Sequence, residues 1–393
     1  MHQLDALVLT EKFSSAGPIN WLKAVAPLHV RAYSFSQILF GRWIGFNILS
    51  LEPMNLLYYL AILTMVFRLA EALFDRRAAL LATVVVALWP SLLLHTTQPL
   101  RDPLLITLVM VFFLIVRRWI VDNYSWRQAI TAGLGAALVL LAIWVVRLAM
   151  WDIARAVVGL GIVFVILRQM RERRILISNI ITGVILIAVL LIIPHCNKLL
   201  QFTEKREVES GRVLIGESVV GLSLWDRIAA RREAFINLRT EKGYRAGSDI
   251  DSDVHFESKS DVIRYLPRAM AIGLFAPFPN MWFAEGELVG RTGRMISGAE
   301  MLLTYLIEVL AAVGLWHKRR QLFIWLLASS AIIGVTALGL IVTNIGSLYR
   351  LRYSYWILLV ILGAEGAVHL GSRPWSRKQL LSAGTSKAGL SES

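Results

Sequence analysis

The sequence predicts an all-α integral membrane protein: a polytopic bundle of about nine spanning helices, a re-entrant or interfacial helix, and one large extracytoplasmic loop. Three observations lead there. Of 393 residues, 56% are hydrophobic and only 17% are charged, and the mean hydropathy of +0.61 lies outside the range of soluble domains. The apolar residues fall in runs near the length a helix needs to cross a bilayer core, about 20 residues. Basic residues collect in alternate connections between those runs, as the positive-inside rule requires. The short alternating segments of an outer-membrane barrel are missing, so helices must satisfy the backbone in lipid.

Taken in order, the runs are 54–73, 78–95, 103–116, 128–150, 153–167, 175–194, 298–316, 321–342 and 353–370. The third and fifth are short, which predicts tilt or extension by snorkelling arginines. Clusters at Arg76 and Arg77, at Arg117, Arg118 and Arg127, at Arg168 to Arg174, at His317 to Arg320, and at Arg373 to Lys378 are expected on the cytoplasmic side. That divides the chain into an extracytoplasmic segment 1–53, a six-helix region 54–196, an outer loop 197–297, a three-helix region 298–371 and a cytoplasmic tail 372–393. Met1 to Asn20 has no continuous apolar run of the signal-peptide kind, so the first span is expected to direct insertion. An outer N-terminal segment needs either direct translocation or an initial helix upstream, and the second is the expectation.

Within the loop, residues 269–283 read AMAIGLFAPFPNMWF. A span there would move the later basic cluster outside, so the stretch reads as re-entrant or interfacial; the other reading is a tenth span kinked by Pro277 and Pro279. Residues 224–239 carry Leu224, Ile228, Phe235 and Leu238 near one face of an amphipathic helix. Asp249, Asp251 and Asp253 alternate like calcium ligands, but Val254 and Ser260 stand where an EF-hand has glycine and glutamate, which favours an exposed acidic turn.

The net charge of +14 is spread between apolar runs and not gathered on a polar domain, which excludes a nucleic-acid role. A lone cysteine, Cys196, excludes an internal disulfide and a cysteine metal cage. No metal site is predicted, and no Walker, zinc, nucleophile-elbow or dinucleotide signature appears in a suitable setting. The informative residues are charges at the extracytoplasmic ends of spans: His95, Arg101 and Asp102; Arg147, Asp152 and Arg155; Arg264, Arg268, Arg291 and Arg294; and Tyr349, Arg350, Arg352, Tyr353 and Tyr355. Arginine at membrane depth is costly unless paired or lining a polar path, and its planar fork suits phosphate oxygens. Arg101, Arg147, Arg155, Arg268, Tyr349, Arg350 and Arg352 are therefore candidates for binding a lipid-linked phosphate. The competing reading is lipid head-group contact with structural pairs such as Arg147 with Asp152 and Arg101 with Asp102.

From Asn55 to Asp102 the text NLLYYLAILTMVFRLAEALFDRRAALLATVVVALWPSLLLHTTQPLRD resembles polytopic glycosyltransferases of the GT-C class, among them the bacterial protein-mannosyltransferase and aminoarabinose-transferase relatives. RYLPRAMAIGLFAPFPNMW and AEMLLTYLIEVLAAVGLW resemble bacterial membrane proteins of cell-surface polysaccharide assembly. The resemblance implies transfer of a sugar from a polyprenyl-phosphate-linked donor at the outer face of the inner (plasma) membrane. It implies polysaccharide-assembly proteins as partners. It also implies an acid that acts as base toward the acceptor or helps hold a divalent cation, the one cofactor it admits. Asp102 and Asp5 stand where such acids are expected, with Arg101 or Arg147 on the leaving phosphate. The alternatives are a transporter, flippase or assembly partner that binds lipid-linked glycans without reaction, or a polymerase. Intramembrane Arg68, Glu71, Glu308 and Glu365 keep the transport reading open, although Arg68 and Glu71 are spaced to pair on one helix. An ion channel is disfavoured by the absence of a filter-like run or charged ring.

Overall fold

The computed structural model describes residues 2–24, 26–122, 124–193, 223–240, 249–283 and 290–388. These are nearly all helical. Cys196, the loop up to residue 222, and Gly247 and Ser248 of the acidic run lie outside them. Helices α1 (His2–Lys23) and α2 (Leu28–Ile44) come first and pack together through Ala6, Leu9, Val30 and Tyr33. Neither is among the helices long and apolar enough to cross a membrane.

Then follow α3 (Glu52–Leu73), α4 (Arg76–Ala87), α5 (Pro90–Thr96), α6 (Asp102–Val121), α7 (Trp126–Val146), α8 (Trp151–Glu172) and α9 (Ile177–Ile192). Helices α10 (Leu224–Thr240) and α11 (Lys259–Phe275) precede α12 (Arg291–His317), α13 (Leu322–Ile341) and α14 (Ile345–Ala388). Each of the nine predicted runs falls on helix over most of its described length, the second broken at Leu88 and Trp89 and the fourth interrupted at Arg147. Seven helices meet the length and hydropathy of a span, α4 and α5 make an eighth if their 66° bend is one broken span, and α9 is apolar but shorter. The third and fifth runs, short by sequence, are helices of 20 and 22 residues, because their terminal arginines continue the helix.

The alternate connections share one end of the bundle. Arg117 Nε donates to Ala72 O at 3.1 Å and Arg168 Nη1 to Ile120 O at 2.8 Å, while Lys318 Nζ lies 3.3 Å from Glu365. At this basic end Asp75 caps α4 through the Ala78 N–H and Ser125 forms a capping box on α7, satisfying donors that a helix start leaves open. Arg68 and Glu71 form no ion pair, contrary to their spacing.

Helix α14 is the axis of the molecule, buried on every side from Leu351 to Gly366. It touches α12 backbone to backbone: a Cβ on Gly366 would lie 2.0 Å from Leu310 O. Small residues permit such approach where lipid supplies no hydrophobic drive. Helix α11 packs antiparallel on α13 in the same way, Gly273 against Val335 O and Gly339 against Ala269 O. The C-terminus of α11 at Phe275, two residues beyond Gly273, is therefore level with about Ile333, about 12 Å along α13 from its end, eight residues at about 1.5 Å each. The run 269–283 is helical only to Phe275, then turns through Ala276 and Pro277 into a short 3-10 segment, Pro279–Met281. It is not a continuous tenth helix.

Candidate functional site

At the end opposite the basic clusters, three chain breaks bring distant charges together. Pro103 has no N–H to lose at a helix start, and an acid in the first turn favours the helix dipole, so α6 opens at Asp102. Helix α7 stops at Val146 and Arg147 leaves it in extended conformation. Arg350 lies on the second turn of α14.

Asp102, 4% exposed, accepts from Arg147 Nη1 on Oδ1 at 2.6 Å. Its Oδ2 lies 2.8 Å from Arg350 Nε, but that N–H is misaligned and makes no hydrogen bond, so the contact is an ion pair by proximity. The Arg350 side chain is 33% exposed and donates no hydrogen bond among the described residues. Arg101 stands close enough to repel Arg147 and, unlike Arg350, has no ion pair among the described residues. Among the described residues, three arginines thus gather at the Asp102 carboxylate, two positive charges more than that one group compensates.

The floor beneath is ordered by hydrogen bonds. The Tyr33 hydroxyl on α2 shares its one proton between Asn55 Oδ1 at 2.8 Å and Leu100 O at 3.1 Å, tying the N-terminal pair to the segment before Asp102. Ser91 donates its N–H to Glu300 Oε1 at 2.8 Å and its hydroxyl to Oε2 at 2.6 Å, and also meets the Tyr353 hydroxyl. His95 stacks obliquely near Tyr353, centroids 6.0 Å apart, and Trp89 packs on Trp356 at 4.4 Å. The extended Trp89 before Pro90 is the bend between α4 and α5, as expected of a residue preceding proline. This Ser91–Glu300–Tyr353 set, with Glu300 and Tyr353 buried, was not foreseen in the sequence; Glu300 inside a span was the available signal.

The other candidates are distributed elsewhere. Arg352, 3% exposed, donates Nη1 to Leu274 O at 3.2 Å and Ala276 O at 3.0 Å, and Nη2 to Met301 Sδ. Its guanidinium also covers the Tyr349 ring at 4.6 Å, and Tyr349 donates to Ser297 O at 3.1 Å. Arg352 thus fastens the end of α11, while Tyr349 ties α14 to α12. Arg268 forms a fork on Asp251, at 2.9 and 3.1 Å, over the Phe278 ring. That bond holds the Asp251 carboxyl below the usual range, against burial, with help from Tyr265.

The structure re-partners Arg147 and Asp152, since Arg147 is on Asp102. Asp152 takes Arg227 at 2.9 Å and Arg231 at 2.8 Å from α10, with Arg155 at 3.8 Å. Asp5 stands half-buried in the first turn of α1, which packs chiefly on α2 and not on the helices carrying Asp102, Arg147 and Arg350.

The donors at Asp102 do not fit a divalent cation. Such ions take several oxygen ligands, and here one carboxylate faces three guanidiniums. Among the described residues, no three of His, Cys, Asp or Glu are grouped to hold a metal. The acidic run is split likewise, with Asp251 on Arg268 and Asp249 bridged to Asn344.

No family model and no curated protein matches the chain. Among solved structures, the crystal structure of ArnT from Cupriavidus metallidurans bound to undecaprenyl phosphate is similar over 92% of this chain and 72% of that chain, at 12% identity and a TM-score of 0.35. A likeness of that size carries no argument, and the fold and site stand on the geometry alone.

Proposed function

We propose that this chain is a glycosyltransferase of the inner (plasma) membrane, moving a sugar from a polyprenyl-phosphate-linked donor at the extracytoplasmic face during cell-surface polysaccharide or glycoconjugate assembly. The observation that carries the reading is the charge at Asp102: Arg101, Arg147 and Arg350 against one carboxylate, with the Arg350 donors unfilled. An anionic phosphate supplies what the cluster lacks. Guanidinium forks bind phosphate oxygens in pairs, and they stabilise the charge that grows on the phosphate as the glycosidic bond breaks. Each Asp102 oxygen keeps a lone pair to accept a hydrogen bond from the acceptor nucleophile and orient it as it loses its proton. The end of α11, inserted beside α13, is on this reading the re-entrant element that closes the site toward lipid.

The test is Asp102→Asn in the native host, with insertion and melting temperature checked. Loss of the glycan product with the lipid phosphate still bound is expected. A wild-type amount of product would remove Asp102 from the chemistry and favour a carrier that binds lipid-linked glycans without transfer.

A further inference from the structure

A second charged feature lies at the basic end, far from Asp102, and does not depend on the reading above. Helices α3, α6 and α7 diverge there around a groove of about 1020 Å³. Its rim carries Arg68 and Arg118, and its walls set an apolar strip of Val111, Ile115 and Gly135 beside the polar Gln128 and Thr131. Val111 is ten residues from the end of α6, so the groove reaches about 15 Å along the helices. Of the other charges on the rim, Arg117 pairs with Asp122 at 3.3 Å, leaving Arg68 and Arg118 against Glu71. Neither of these two arginines makes a hydrogen bond or an ion pair among the described residues, and both are exposed.

Snorkelling explains a long side chain that reaches the interface, but it does not explain two unpaired guanidiniums above one deep apolar strip. We infer that this groove holds an anionic phospholipid of the leaflet at the basic end, its head-group phosphate between Arg68 and Arg118 and one acyl chain along Val111, Ile115 and Gly135. Charge complementarity selects the anionic head group, and the depth of the wall selects a chain-bearing ligand over a free phosphate. Basic pockets between spanning helices bind such head groups by this physics.

The full-length protein, purified in a neutral detergent, would be offered phosphatidylglycerol, phosphatidylcholine and glycerol phosphate, with retention read by native mass spectrometry. Phosphatidylglycerol is expected to be retained over phosphatidylcholine. The double variant Arg68→Gln/Arg118→Gln should weaken it about 30-fold, a factor of about five for each arginine near a membrane surface. Gly135→Leu tests the wall with both arginines intact: a Cβ there meets only Ile115 Cδ1 at 3.7 Å, so the larger side chain fills the groove without displacing backbone. It should lower phosphatidylglycerol retention. Equal retention of the two lipids, an unchanged double variant, or glycerol phosphate displacing phosphatidylglycerol at equal concentration would each overturn the inference.

Discussion

Replacing Arg352 by methionine removes the group that ends α11. The buried guanidinium donates to Leu274 O and Ala276 O at 3.2 and 3.0 Å, the carbonyls a helix C-terminus leaves open, and its charge faces the negative end of the helix dipole. Hydrogen bonds to a charged donor contribute about 1.5–3 kcal/mol each. Methionine fills much of the volume and keeps a contact with Met301, so packing loss is small and the two orphaned carbonyls dominate. A destabilisation of about 3–5 kcal/mol is expected. Arg352→Lys should recover part of it, since an ammonium keeps the charge but lacks the planar fork. The assay is thermal unfolding in detergent, with proteolysis mapping whether 259–283 opens first. An Arg352→Met protein that melts with the wild type, or that loses only ligand affinity, would refute the structural role.

Other expectations concern the same face. Gly339→Leu places a side chain where a Cβ already lies 2.0 Å from Ala269 O; prying α11 from α13 should cost about 1–3 kcal/mol or more, read as a lowered melting temperature, and wild-type melting would contradict the helix contact. For Asp251, the Arg268 bond depresses the carboxyl below its usual 3.8. Its stabilisation is therefore complete above that value and is lost as pH falls through the lower folded one. Asp251→Asn should melt below the wild type at neutral pH with the gap closing in acid; a gap independent of pH would refute the pair.

The helices were legible because apolar runs of bilayer length and alternating basic connections are local properties of the text. Partners were not. Arg350 and Arg352 sit two residues apart, about 200° around a helix, so one meets Asp102 and the other the end of α11, a division that composition cannot reveal. Helix α10 shows the same limit. Its pattern puts Leu224 near the apolar face, yet Leu224 is 44% exposed while Arg231 and Arg232 are buried. Asp152 receives Arg231, and the carbonyls of Asp251, Val254 and Leu340 receive Arg232. Burial followed from bonding geometry over long sequence distances, which apolar periodicity does not encode. The Asp102 site was legible as residue types, and its net charge became countable only once Arg147 was found there and not on Asp152.

Binding of a polyprenyl phosphate against the matching polyprenol, to the wild type and to Arg350→Gln, tests that site most directly. Arg350 donates no hydrogen bond among the described residues, so its loss should leave the fold intact while removing one charged fork. The wild type should prefer the phosphate. Arg350→Gln should lose about 10- to 150-fold in phosphate affinity, from about 1.5–3 kcal/mol at about 1.4 kcal/mol per decade, with polyprenol binding unchanged. Equal affinity of the wild type for phosphate and polyprenol, or a variant that binds the phosphate as tightly as the wild type, would contradict the account.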